Sequence, residues 1–160
     1  MRSSRRRLTA LALAMLAAAA AHAGDRSTEV QVRDPWVRWL PGQLPAGGYL
    51  TLINDADQSI SLVGASCPDY GTVSLHRSQN VGSISHMMAV DHIAVAPHST
   101  LSFASEGYHL MLERPSRSLK PGDHVAITLR FSRTPPQTVS FELRAAGASE
   151  PMPTMPGMSP

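Results

Sequence analysis

The residues of this chain best suited to chemistry are two histidines and two methionines: His76, Met87, His109 and Met111. His109-Leu110-Met111 is a His-x-Met triplet in an alternating segment. On a strand its imidazole and thioether leave the same face, about 7 Å apart, while Leu110 and Leu112 point the other way, into a core. His76 closes an alternating run that begins at Gly71, opposite in direction to Val73 and Leu75. Met87 lies in the next predicted strand, beyond a segment rich in Ser, Asn and Gly. A hairpin joining those strands would bring His76 and Met87 together at one end of the molecule. Thioether sulfur is a soft neutral donor and imidazole a borderline one, a combination that suits Cu(I) far better than Zn, Mg or Ca. Of the eight methionines, the six outside the N-terminal stretch cluster at Met87-Met88, Met111, and Met152, Met155 and Met158. Core filler would be scattered among the strands.

Such ligands need strands to hold them. Short runs of period-two alternation predict strands over Val30–Trp39, 48–53, 60–65, 71–76, 84–95, 100–103, 109–113, 124–132 and 138–144. Turn signals separate them: Pro41-Gly42, Asn54-Asp55, Cys67-Pro68-Asp69, Ala96-Pro97-His98 and Lys120-Pro121-Gly122-Asp123. Val125, Ile127, Leu129 and Phe131 share one face, and Val139, Phe141 and Leu143 repeat the pattern. No window after the N-terminal stretch carries a helical period over ten residues. The fold class is therefore all-β, an antiparallel β-sandwich or barrel. Trp36, Trp39 and Tyr49 read as core or edge aromatics near the first strand.

The 160 residues divide unequally. Residues 1–23 read as a cleavable signal peptide: four arginines in Met1–Arg7, an apolar run over Leu8–Ala20, and Ala21-His22-Ala23 as the cleavage pattern. The apolar run is too short to span a bilayer. Removing those four arginines leaves 10 basic against 12 acidic residues and turns a formal charge of +2 into −2. Nucleic acid and anionic membranes are thus not expected partners. No cysteine follows the small residues of the leader, so a lipid anchor is not expected either, and the chain is expected to be a monomer. Residues 24–145 form the expected domain. Residues 146–160 are Pro- and Met-rich and should stay flexible. Met152, Met155 and Met158 recur every third residue, which would line one edge of a polyproline II segment. Cys67 is the single cysteine, which excludes an internal disulfide and a CxxC redox motif. It is expected to pack rather than ligate.

The spacing His76-x10-Met87-x21-His109-x-Met111 resembles that of the periplasmic copper chaperones of the PCuAC type. Gly107-Tyr108-His109-Leu110-Met111-Leu112, Leu119-Lys120-Pro121-Gly122-Asp123 and Ala46-Gly47-Gly48-Tyr49 resemble that family's flanking segments. The likeness runs from about Val32 to Leu143. It implies a cupredoxin-like sandwich that binds one Cu(I) through His76, Met87, His109 and Met111. It also implies a periplasmic carrier that delivers copper towards the copper centre of a cytochrome oxidase, beside a thiol-based assembly factor. The chain departs from the family where Ser85 stands two positions before the ligand methionine, with His86 and Met88 flanking Met87. Met87 is favoured as the ligand, with Met88 as core filler.

Other readings remain beside this one. His86, His92 and His98 lie close in sequence and offer the imidazole donors that Cu(II) prefers, so they form a candidate second site against the simpler reading of solvated residues. His124 opens a strand and reads as structural. The tail methionines would add capacity if the protein sequesters copper for tolerance rather than delivering it. No Ser-His-Asp order, paired carboxylates or Gly-rich phosphate loop stands in a supporting context, so an enzyme is not expected. An oxidase-like use of the copper would need an open coordination position.

Overall fold

The computed structural model describes residues 29–82 and 84–147. The expected signal peptide over 1–23 and the methionines of the tail lie outside the described residues. Ten strands and no helix make up the described chain: β1 (Val30–Trp39), β2 (Ala46–Asn54), β3 (Ile60–Ser66), β4 (Tyr70–Val81), β5 (Ile84–Ala89), β6 (Ile93–Val95), β7 (Ser99–Ser102), β8 (Tyr108–Pro115), β9 (His124–Phe131) and β10 (Gln137–Ala145). They follow the order β5-β4-β8-β2-β1-β10-β9-β3-β6, with β7 also paired to β2. Every pair is antiparallel except β1 with β10, which run parallel. The sheet folds over on itself, bringing β3 against β4 and β6 against β2 and β7. Alternating apolar residues of both halves fill the space between. Leu52, Leu62, Ile93, Leu110, Leu112, Ile127, Leu129 and Phe141 are fully buried there. Cys67 is buried in the same core.

The strand that reads as continuous over 84–95 is two strands at opposite ends of the sheet order. β5 pairs β4, with all six residues exposed at one edge, whereas β6 pairs β3 and buries Ile93 and Val95. The backbone N–H of Val90 still bonds Leu75 O at 2.9 Å, after which Asp91-His92 carries the chain across. An apolar run of mixed Met, Ala, Val and Ile conceals the break. β4 also runs past its expected end at His76 to Val81, and the turn at Gly82 (φ +64°) starts β5 directly. The polar Ser78-Gln79-Asn80 stretch is strand because β5 supplies its backbone partners, with the Ser78 N–H also donating to Gly107 O at 2.9 Å, not because of its own pattern.

β1 carries the decisive irregularity. Pro35 has no N–H to offer β2, and Asp34 takes up the left-handed region at φ +48°. The register with β2 shifts between Arg33 and Trp36. This bulge reverses the parity of the strand, so Val30, Val32, Val37 and Trp39 face the core while Trp36 and Arg38 face outward. Trp36 is buried nonetheless. It stacks on Tyr49 at 4.7 Å and lies beneath the guanidinium groups of Arg38 and Arg144.

Asn54, at the end of β2, is 0 % exposed. Its amide donates to Gln58 O, Val95 O and Ala96 O, and its side-chain oxygen accepts from Ala56 N–H at 3.0 Å. One side chain thus ties the β2–β3 turn to the β6–β7 turn. Asn54→Ala leaves several of these groups unpaired and should cost about 2–3 kcal/mol, read as a lowered urea midpoint at unchanged slope.

Candidate metal centre

β4, β8 and β5 lie side by side, and their register assembles the candidate residues on the outer face. His76 is directly opposite His109, and Ser74 opposite Met111. Across the other edge of β4, Ser78 is opposite Met87 and His76 opposite Ala89. Met87, Ser78, His76, Ser74, His109 and Met111 therefore share one face, while Leu75, Leu110 and Leu112 occupy the core face.

The contacts are close. His109 Nε2 lies 3.2 Å from Met87 Sδ. The rings of His76 and His109 are 5.9 Å apart between centroids, tilted by 38°. That separation leaves room for one metal ion about 2 Å from a nitrogen of each ring. His109 Nδ1 donates to Gly107 O at 3.2 Å, which leaves Nε2 with its lone pair towards Met87. His76 Nε2 is 3.0 Å from Ser74 Oγ, and His76 Nδ1 is buried without a hydrogen-bond partner. Met111 is half-buried beside this group, with Gly47 of β2 across from it. A Cβ at Gly47 would stand 2.7 Å from the Tyr49 hydroxyl, so the ring of Tyr49 folds over the space that glycine leaves. Ser105 donates to that hydroxyl at 3.3 Å.

The four side chains differ in exposure. His109 is 6 % exposed, whereas Met87 is 52 % exposed on the edge strand. Met88, read from sequence as core filler, is not in the core: it pairs with Arg77 on the opposite face of β5 and is 48 % exposed. The cause is the edge position of β5, over which the described residues pack no layer on either face.

Burial holds the His109 pKa below the ordinary imidazole value. The Gly107 carbonyl works against this shift, and His76 and Arg38 add to it. The neutral form of the ring, the form with a free lone pair, is thereby favoured. The unfolded chain takes up the proton more readily than the folded one, so stability should fall as pH drops below about 6.5. Thermal melts from pH 7.5 to 5 should show this loss, and His109→Gln should reduce it.

The other histidines among the described residues do not join the group. His98 Nε2 bonds Asp57 Oδ1 at 2.8 Å near the β6–β7 turn, and His86, His92 and His124 are exposed. Among the described residues no three His, Cys, Asp or Glu side chains converge to hold a metal. Cys67 is buried away from the site, and burial raises its thiol pKa. The sequence reading passed over Ser74 and the Gly107 carbonyl. Each belongs to the residue two positions before a histidine, and that offset is the available signal.

Residues 30–143 match the LpqE-like family, whose description names a lipoprotein. Among solved structures, the copper-bound PCuAC domain from PmoF2 is 25% identical with a TM-score of 0.63, covering 74% of this chain and 94% of that one. The solution structure of CuI-DR1885 from Deinococcus radiodurans is 30% identical with a TM-score of 0.58, covering 77% and 82%. Apo-DR1885 from the same organism is 28% identical with a TM-score of 0.58, covering 92% and 100%. A comparison with curated proteins finds no match. With an all-β sandwich shared with PCuAC domains and a family match over nearly all the described residues, this chain belongs to the LpqE-like family.

Proposed function

We propose that this protein is an exported copper chaperone. It binds one Cu(I) through His76, Met87, His109 and Met111 and passes it to a copper-accepting protein. The observation that carries this reading is the 3.2 Å approach of Met87 Sδ to His109 Nε2, beside His76 on the same face. Two neutral imidazoles and two thioethers make a soft, uncharged donor set that fits Cu(I), and they hold it without a thiolate. An acceptor bearing thiolates then offers the ion a more favourable site, so transfer runs downhill. Met87 is the most exposed donor and sits on the edge strand, so the acceptor's ligand enters there and displaces Met87 first. The copper-bound PmoF2 domain and CuI-DR1885, which share the fold, support copper as the cargo.

The proposed acceptor is the copper centre of a cytochrome oxidase or a thiol-based assembly factor, and the proposed compartment is the periplasm, given the leader-like N-terminus. A carrier fits better than an enzyme because four protein donors complete the coordination of Cu(I) and leave no position for a substrate. Sequestration for copper tolerance is the second reading, and the spacing of Met152, Met155 and Met158 favours it. A competitive Cu(I) titration of residues 24–160, of a truncation ending at Ala145, and of Met111→Ala tests both. The chaperone reading expects one tight equivalent with and without the tail, strongly weakened by Met111→Ala. Several equivalents that vanish with the tail would favour sequestration.

A further inference from the structure

We propose that Ser74 is a positioning residue for the metal centre: its hydroxyl holds His76 as the Nε2–H tautomer and thereby presents Nδ1 to Cu(I). This inference rests on the reading of the site as a copper centre and adds the nitrogen by which each ring binds. A neutral imidazole has one donor and one acceptor nitrogen. His76 Nε2 lies 3.0 Å from Ser74 Oγ, and His76 Nδ1 is buried with no partner. If the proton were on Nδ1, a buried N–H would have no acceptor, the rarer and costlier kind of orphan. With the proton on Nε2 and donated to Ser74, what remains buried at Nδ1 is a lone pair. A lone pair without a partner is what a metal ion takes up.

His109 shows the same arrangement with the nitrogens exchanged. Its Nδ1–H is held by Gly107 O at 3.2 Å, and Nε2 is turned to Met87 Sδ at 3.2 Å. Each histidine is thus anchored through one nitrogen by the residue two positions before it, Ser74 for His76 and Gly107 for His109. Such anchors fix tautomer and ring orientation and raise the basicity of the ligating nitrogen. The register supports the assignment. Ser74 faces Met111 across β4 and β8, so its hydroxyl stands on the face that carries all four donors.

The test is long-range proton–nitrogen NMR of the 15N-labelled mature chain, metal-free at a pH where the rings are neutral, then loaded with Cu(I). The expected result is His76 protonated at Nε2 and His109 at Nδ1, with loading shifting His76 Nδ1 and His109 Nε2. Ser74→Ala should mix the His76 tautomers and lower Cu(I) affinity by about 10- to 100-fold, and Ser74→Thr should restore both. The His109 tautomer, unchanged in all three proteins, reports that the fold is intact. A wild-type His76 protonated at Nδ1, or a Ser74→Ala chain that binds Cu(I) as tightly as wild type, overturns the assignment. A wild-type chain that binds no Cu(I) overturns the chaperone reading as well, a result distinct from either of those.

Discussion

His109→Ala should weaken Cu(I) binding by more than about a hundredfold while leaving the fold nearly as stable as before. Outer anchors of a metal ligand are typically worth a 10- to 100-fold change in affinity, so a direct donor should exceed that. His109 is the centre of the group: its Nε2 meets Met87 Sδ, and its ring lies beside His76. Its side chain is on the outer face of β8, apart from the hydrophobic core, so truncation opens no core cavity. A loss of about 1 kcal/mol in stability is expected. A competition titration against a Cu(I) chelator, paired with a urea melt, reads both quantities. Undiminished copper affinity in His109→Ala would remove this residue from the ligand set and move the site elsewhere.

The neighbouring substitution should do the reverse. Leu110 is 0 % exposed and lies across from Gly48, whose backbone it touches so closely that a Cβ there would stand 3.0 Å from Leu110 Cβ. Leu110→Ala should cost about 2–5 kcal/mol through lost burial and the cavity left behind. Wherever the variant remains folded, Cu(I) affinity should be unchanged, because Leu110 points away from the donors. Together the two variants test the alternation of β8, one residue lost to copper and the next to the fold. A Leu110→Ala chain of native stability would show that this strand is not inserted between the core and the metal face as described.

Much of this arrangement was legible in the residues. The strands β9 and β10 stand close to where alternation predicts them, because one buried and one exposed face leave a period-two signal that needs no partner to read. Alternation ends β4 early and runs β5 into β6, because neither strand follows a period of two. β5 has no buried face at all, and the outer half of β4 is polar. Edge strands are defined by their neighbours' backbone groups, which a single sequence does not display.

By itself the sequence determined the candidate donor types, the His-x-Met pair on one side of a strand, and the core on the other side. These are local consequences of a side-chain period of two, and no long-range contact can alter them without a bulge. The tertiary structure decided how Met87, the methionine the spacing favours, reaches His109. Register across β4 and β5 puts Met87 on the outer face with Ser78 and His76 and turns Met88 away beside Arg77. It also decided that the bulge at Asp34-Pro35 sends Trp36 outward onto Tyr49, and that Ser74 reaches the nitrogen of His76. Each of these depends on which residue stands opposite which. That pairing is set by strands far apart in the chain, where a shift of one residue would exchange the two faces.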